Sequence, residues 1–343
     1  MHSQEAARIA FVGAGNHATQ SLYPNIAHIP EFDLAAVCDL VPEKAAYAAR
    51  KYGAREWYTD VETMLDQVQP QGVCIVGPPQ LHHRVGLQVL RRGIPVFVEK
   101  PPALTEAEAR ELAETARQHG TFGMVGFMKR FAPANLVARE YIASGNLGRL
   151  ASMTLIHGSG PYDDVRRMLL FNGIHMLDLA RFLAGEVQEL FAYASEPGAP
   201  VQAVSVAMRC ESCVAQFNMN SSHTWGDCYE QVYLSGERGA IVIEGSGTTE
   251  VLAPASRFAK GEGLELCGWS SRYYVSGNLA SWASYSHYTH GYWGELDRFA
   301  RAVLGQAQPS PTLEDGVAAL HLIEAILASA AGRGGEGGTP QRV

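Results

Sequence analysis

The apolar positions of the first third of the chain come in short, unbroken runs. They lie at Ile9–Val12, 33–39, 72–79, 95–99 and 121–127. Runs this short, apolar at successive positions instead of alternate ones, suit strands buried on both faces, as in a parallel sheet covered by helices. Helical stretches separate them. PEKAAYAARKYG (42–53) has Pro in its first turn and Gly beyond its end, the usual asymmetry of helix ends. LHHRVGLQVLRRG (81–93) closes at Gly93, and TEAEARELAETARQHG (105–120) opens with Thr105 and Glu108 spaced as a capping box. Regular alternation of strand and helix predicts a doubly wound α/β unit. Pro24 falls inside the first predicted helix and is expected to kink or shorten it.

From about residue 127 the pattern changes. A helix over 133–148 and a strand over 150–158 precede GIHMLDLARFLAG (173–185). That segment reads as an amphipathic helix with Met176, Leu179, Phe182 and Leu183 on its apolar side. Strands then follow one another at roughly 187–195, 201–208, 213–219, 229–235 and 239–243, with Gly, Pro and Asn between them. Consecutive strands joined by short turns imply a large, open, mostly antiparallel sheet. An open sheet with few helices behind it has a face to cover, so a homodimer or homotetramer through this C-terminal sheet is expected. Helices at 293–305 and 312–332 close the chain, and the Gly-rich tail, 333–343, is expected to be disordered.

Composition narrows the function classes. The chain has 343 residues, 47% hydrophobic and 18% charged, with a formal net charge of −8. The length suggests two domains. The negative balance argues against a nucleic acid partner. No apolar segment approaches the roughly 20 residues of a membrane span, and MHSQEAAR before the first apolar run is short for a signal peptide, so a cytoplasmic protein is expected. Six cysteines do not make a disulfide framework. Cys210 and Cys213 form C-x-x-C, a metal half-site or redox pair on one reading. Cys228 and Cys267 supply no second pair, and strand alternation would turn the two to opposite faces. No metal is expected.

The first turn carries chemistry. Gly13-Ala14-Gly15-Asn16-His17-Ala18 follows a strand and opens a helix, the context in which G-x-G-x-x-A reads as a dinucleotide-binding turn. Gly13 makes the turn, Gly15 lets backbone approach a pyrophosphate, and Ala18 permits close helix–strand packing. Asn16 and His17 begin the helix whose N-terminus would take the phosphates. Asp39 ends the second strand, placed to accept from both ribose hydroxyls and to repel a 2′-phosphate. NAD is therefore expected, and NADP less so. The predicted organisation is an NAD(P)-binding Rossmann domain over 1–126 and a substrate and oligomerisation domain over 127–332, whose closing helices can pack back on the first.

VFVEKPPALT (96–105) is the other informative stretch. Lys100 sits at the carboxyl end of a parallel strand, where open α/β sheets bind ligands, and Pro101 biases it away from helix. Glu99 either orients Lys100, touches the nicotinamide ribose or forms a plain ion pair. Later comes Gly173-x-His175-x-x-Asp178. In order, the G-x-G-x-x-A turn, Asp39, GPPQLHH (77–83), EKPPALT, GIHMLDLARFLAG and WGELDRFARAVLG resemble the glucose-fructose oxidoreductase / inositol dehydrogenase / rhizopine catabolism family over residues 8–332.

The resemblance implies an NAD(P)-dependent oxidoreductase acting on a sugar, inositol or related polyol. It implies that Lys100 contacts substrate oxygen and cofactor together, that His175 is the acid/base, and that Gly77, Pro78 and His82 lie near the nicotinamide, although His82 reads equally well as a helix-start cap. Removing a hydride from a carbinol carbon leaves a proton on oxygen, which some group must accept, while another steadies the developing charge. An imidazole at a helix N-terminus would be kept neutral by the dipole and able to accept. One departure stands out: where the family usually has Asp, four residues before His175, this chain has Phe171, followed by Asn172. Either Asp163 or Asp164 folds in as a substitute, or Lys100 and His175 act alone. Asn172, Arg130, Arg166 and Asp163 are the candidate substrate contacts, and the aromatic run 282–293 either lines the site or serves a core or interface. Two rival readings remain open: a nucleotide-binding sensor with little or no turnover, and NAD-assisted glycoside cleavage or epimerisation.

Overall fold

A computed structural model describes residues 6–245, 248–254, 268–274, 286–332 and 341–343. The chain divides into two compact units, Met1–Phe131 with Tyr285–Leu320, and Ala132–Ser284 with His321–Val343.

The first unit begins with β1 (Ala7–Val12), then a π-wound turn over Ala18–Leu22 and a short α1 (Tyr23–Ile26) with Pro24 in its first turn. A proline ring clashes with the carbonyl four residues earlier, and the irregular winding falls on that preceding turn. The alternation continues through β2 (Phe32–Cys38), α2 (Pro42–Tyr52), β3 (Glu56–Tyr58), α3 (Val61–Val68), β4 (Gly72–Ile75), α4 (Pro79–Leu90), β5 (Val96–Glu99), α5 (Glu106–Gln118) and β6 (Gly123–Gly126). The strands form one parallel sheet in the order β3-β2-β1-β4-β5-β6. Strand order reverses beside β1, so the glycine turn stands at the switch point, where such sheets bind ligands. The capping box at Thr105 and Glu108 is formed in both directions.

Sequence reading passed over β3 and α3. The strand is three residues long, with Trp57 half exposed, so it lacks a buried apolar run. The helix did leave a mark: Asp60 caps it, accepting from the Thr63 N–H at 2.8 Å.

The second unit contains α6 (Pro133–Ala143), β7 (Leu150–Gly158), α7 (Val165–Met168), α8 (Ile174–Ala184), β8 (Val187–Ala194), β9 (Ala203–Cys210), β10 (Val214–Asn220), β11 (Tyr229–Gly236), β12 (Gly239–Glu244), β13 (Thr248–Pro254) and β14 (Gly268–Tyr274). The sheet runs β14-β13-β12-β11-β7-β10-β9-β8, and Gln341–Arg342, β15, add an edge beside β8. The rest of the tail expected to be disordered, 333–340, lies outside the described residues. Among the described strands of this sheet, β7 and β10 pair in parallel and the other neighbours are antiparallel. Alternate residues such as Leu155, Val206, Met208, Phe217 and Val232 are buried, while Ser205, Ala207, Arg209, Val214 and Tyr233 look outward.

Two local expectations are corrected here. Cys210 and Cys213 do not point apart: a two-residue turn reverses the chain between them, and the Cys210 N–H donates to the Cys213 carbonyl at 2.8 Å. Residues directly opposite in a hairpin share a face, so both free thiols are buried together. The helix α8 is not amphipathic: its residues from Ile174 to Ala180 are all buried.

The closing helices are α9 (Ser286–Thr289), α10 (Tyr292–Val303) and α11 (Leu313–Ala331). Leu296, Phe299 and Ala300 of α10 belong to the same core cluster as Ile9, Phe11, Cys74 and Phe97. A Cβ at Gly72 would lie 3.1 Å from the Phe299 ring, so β4 begins with the residue that admits this helix. No helix among the described residues is long and apolar enough to cross a membrane.

Candidate active site

The glycine turn is held by its own backbone and by Asp39. Gly13 has φ +105°, and a Cβ there would fall 1.9 Å from the Val76 carbonyl oxygen, so only glycine fits. Its N–H donates to the Cys38 carbonyl at 2.8 Å, and its own carbonyl accepts from the Tyr23 hydroxyl at 3.0 Å. Asp39 accepts from the Ala14 N–H at 2.7 Å through Oδ2 and from the Val41 N–H at 2.9 Å through Oδ1. A carboxylate offers about four lone-pair directions, so two backbone donors leave room for a ligand's hydroxyls. At Gly15 a Cβ would meet nothing within 4 Å. The protein's own packing does not demand glycine there; the open space suits a close-lying phosphate. These residues line a cleft of about 350 Å³ with Leu40, Gly77, Pro78 and Leu81.

A second cluster stands at the end of β5. Glu99 is buried; its Oε2 accepts from the Lys100 backbone N–H at 2.9 Å and its Oε1 lies 3.3 Å from His17 Nε2. Burial alone would raise the Glu99 pKa, but the His17 imidazole and the Lys100 ammonium hold it below the usual glutamate value. Burial lowers the Lys100 pKa, Glu99 opposes this, and Lys129 adds to it. So the helix that opens the nucleotide turn touches the carboxylate beside Lys100. Asn16 lies exposed in the same turn, its carbonyl accepting from Thr19 Oγ1 at 3.2 Å.

His82 is held by backbone groups at both ring nitrogens. The Gly77 N–H donates to its Nε2 at 2.9 Å, which leaves the proton on Nδ1, 2.8 Å from the Pro101 carbonyl. Burial brings its pKa down to about 4. With both nitrogens on backbone, His82 ties the Gly77-Pro78 turn to the segment after Lys100.

Glu295 escaped sequence reading. It is fully buried at the start of α10, with neither carboxylate oxygen hydrogen-bonded. Burial and the charge of Glu99 push its pKa well up, against the pull of Lys100. The signal was present: Glu295 precedes Phe299 by one helical turn, on the stripe shared with Leu296 and Ala300.

In the second unit, His175 is buried, but not at a helix start. α7, a π-wound turn over Leu169–Gly173 and α8 follow without a break. The dipole argument for a neutral imidazole therefore fails; Gly173 and Asn172 did not end the winding, because the π-turn absorbed them. Asp178 lies 3.7 Å from Arg181. Phe171 packs at 5.7 Å from the Arg167 guanidinium. The two aspartates of the preceding loop both make local contacts to Arg167. Asp163 is 87% exposed, 3.7 Å from Arg167, and Asp164 caps α7 through the Arg167 N–H. Arg130 bonds Asp315 at 2.9 Å, and Arg166 is exposed on α7. Asn172 Nδ2 donates to Ser159 Oγ at 2.8 Å. Of the aromatic run 282–293, residues 282–285 lie outside the described residues; Tyr292 meets the His17 ring at 5.7 Å and Trp293 donates to the His28 carbonyl. No group of three or more metal-binding side chains is found among the described residues.

Residues 7–127 match the oxidoreductase family described as an NAD-binding Rossmann fold, and residues 136–242 match the GFO/IDH/MocA C-terminal domain. The chain belongs to the GFO/IDH/MocA family of oxidoreductases. NAD(H) is the cofactor of this family's first unit, and the cleft with its glycine turn and Asp39 fits it. Among relatives, the D-glucoside 3-dehydrogenase of Escherichia coli K12 is 32% identical over 196 residues, covering 52% of this chain and 54% of that protein. The chain thus spans about half the length of that relative, as of several others. The inositol 2-dehydrogenase of Rubrobacter xylanophilus is 26% identical over 351 residues, 99% of this chain and 94% of that one. A dehydrogenase from Chromobacterium violaceum shares the fold at TM-score 0.86 and 23% identity, covering 96% of each chain. A levoglucosan dehydrogenase in complex with NADH and levoglucosan does so at TM-score 0.82 and 21% identity, covering 99% and 100%.

Proposed function

We propose that this GFO/IDH/MocA protein is an NAD-dependent dehydrogenase that oxidises a CH–OH group of a sugar, inositol or related polyol, or reduces the matching carbonyl. The observation that carries the proposal is the contact between the nucleotide turn and the end of β5: His17 stands 3.3 Å from Glu99, next to Lys100. A cation at that strand end has a reacting oxygen to steady. Bound NAD⁺ supplies the hydride acceptor. Lys100 donates to the substrate oxygen and stabilises its developing charge; its lowered pKa loosens its hold on the proton. His175 takes the proton in oxidation and returns it in reduction. Asn172 holds a further substrate hydroxyl. With Phe171 in the place of the family's Asp, proton transfer rests on Lys100 and His175. The glucoside, inositol and levoglucosan specificities of the relatives support a cyclic polyhydroxy substrate.

The compartment proposed is the cytoplasm. Facing thiols left free at Cys210 and Cys213 suit a reducing environment. A homodimer or homotetramer through the outward sheet face is proposed as well, because Val214 and Tyr233 are 54% and 40% exposed there.

The test is a sugar and polyol panel with NAD⁺ and NADP⁺, read at the reduced-cofactor absorbance, with Lys100→Ala as control. Turnover on NAD⁺ that drops at least a hundredfold in the variant supports the mechanism. Turnover indifferent to Lys100→Ala removes it. Phe171 favours one rival, a sensor without turnover, and tight NADH binding with no reaction on any substrate would establish that rival instead.

A further inference from the structure

The loop between β10 and β11 ends in a tight turn. Thr224 and Asp227 form an isolated bridge, and the Asp227 N–H donates to the Thr224 carbonyl at 3.3 Å. Trp225 and Gly226 are thus the two central residues of the turn, where Asn, Asp and Gly are the usual choices. Trp225 is 57% exposed there. The loop is braced by the segment that follows β7. The Ser159 N–H donates to the Asn220 carbonyl at 3.1 Å, and a Cβ at Gly160 would come within 2.7 Å of the Ser221 carbonyl oxygen. A Cβ at Gly158 would strike the His223 ring, so β7 ends in glycine where the loop lies on it.

The Tyr162 and Trp225 rings meet at 4.8 Å and 71°, an edge-to-face pair. The Tyr162 hydroxyl is buried beside the Ser159 hydroxyl, and Ser159 accepts from Asn172 at 2.8 Å. Two side chains, Tyr162 and Ser159, therefore separate the indole from a candidate substrate contact, all within the second unit. On the other limb of the loop Tyr229, 44% exposed, stacks with His223 at 6.0 Å and 23°. A single exposed aromatic is ordinary on a protein surface. This one sits on a braced turn, so little freedom is lost when a ligand covers it. Its apolar face, with negative π density, suits the C–H face of a sugar ring.

We propose that Trp225 is the stacking platform for a second ring of the substrate, beyond the ring that Asn172 holds, and that the preferred substrate is a disaccharide or other two-ring glycoside. The length of Tyr162 and Ser159 sets the indole off from Asn172 and leaves that place for the outer ring. An inositol or a free monosaccharide fills the inner place alone and gains nothing from the indole. Because the outer ring lies away from the reacting carbon, its contact with Trp225 is the same before and during hydride transfer, so it acts on KM and not on kcat. The inference rests on the dehydrogenase reading above for the role of Asn172, but stacking on Trp225 can be measured without turnover.

The probes are cellobiose, maltose and lactose, each set against the methyl glycoside of its oxidisable ring, with the full chain. The first readout needs no variant and no reaction. In the NADH-bound wild type a disaccharide that binds should protect Trp225 from oxidation by N-bromosuccinimide, read by peptide mass spectrometry, and its methyl glycoside should not. The second readout is Trp225→Ala. The ratio of disaccharide to methyl glycoside KM should rise about three- to tenfold, the worth of one stacked aromatic contact, and Trp225→Phe should fall between. Where no probe turns over, the ratio of dissociation constants with NADH bound, from calorimetry, takes its place. A ratio that does not move overturns the proposal, as does failure of every disaccharide to bind or to protect Trp225. A smaller assembly for Trp225→Ala in light scattering would assign the indole to a subunit contact and overturn it too. Disaccharides that bind and protect Trp225 without ever being oxidised would uphold the platform and count against the dehydrogenase reading.

Discussion

Asp39→Asn isolates the contribution of one carboxylate to cofactor binding. In the wild type the two carboxylate oxygens each take a backbone donor, Ala14 N–H at 2.7 Å and Val41 N–H at 2.9 Å. An amide has one acceptor, so one of these donors must face an NH₂ group. The Val41 N–H is solvent-accessible and the Ala14 N–H is partly buried. The amide oxygen should therefore stay with Ala14, and water should satisfy Val41. What remains is the change from charge-assisted to neutral acceptance, at Ala14 and toward the ribose hydroxyls. Such bonds differ by about 1–2 kcal/mol. If that difference is expressed at the nucleotide turn, the Kd for NADH rises roughly five- to thirtyfold. Asp39→Ala, which satisfies neither donor, should cost more. The same substitution removes the negative charge that opposes a 2′-phosphate, so NADPH should lose less affinity than NADH, or gain. Fluorescence titration of both reduced cofactors against both variants is the assay. An Asp39→Asn protein that binds NADH as the wild type does, with the NADH/NADPH ratio unmoved, would refute the assignment of Asp39.

Other consequences can be checked directly. Glu295 is buried with a raised pKa, so it stays protonated in the folded chain at pH values where the unfolded chain has lost the proton. Its contribution to stability is complete below the ordinary glutamate range near pH 4 and declines as pH rises toward the folded-state value, by up to about 1.4 kcal/mol per pH unit. Glu295→Gln should flatten that decline between pH 5 and 8 in chemical denaturation; parallel curves for the two proteins would contradict it. The outward sheet face predicts that Val214→Lys with Tyr233→Lys lowers the mass of the assembly in light scattering while leaving the melting temperature of the subunit nearly unchanged. A monomeric wild type would end that proposal.

Some of this architecture is legible one residue at a time. The unbroken apolar runs of β1, β2, β4 and β5 can only be satisfied by cover on both faces, which dictates a parallel sheet with helices. Thr105 and Glu108 cap their helix through contacts three residues apart, so their spacing alone reveals them. The glycine turn and Asp39 are legible for a similar reason, since a strand, a turn and the tip of the next strand form one local unit.

What lay beyond the sequence depends on distance along the chain or on the winding of a helix. Opposite faces were expected of Cys210 and Cys213 because strand alternation holds only while the chain runs straight, and here it turns. His175 was expected at a helix start because the apolar pattern of 173–185 reads as a helix of its own, yet a π-turn carried the winding through from α7. His82 was read from its neighbours in sequence, whereas its partner, Pro101, lies on another strand's end.

Local covalent geometry and hydrophobic pattern were thus enough to determine the kind of sheet, the nucleotide turn and the strand end that bears Lys100. Only tertiary structure could decide that the α10 helix returns to the first unit's core, that Glu295 is buried without donors, and that Asn172 donates to Ser159. These depend on which surfaces meet after the chain has closed loops of tens to hundreds of residues. Burial then sets the charge and direction of each polar group, and no window along the sequence contains that information.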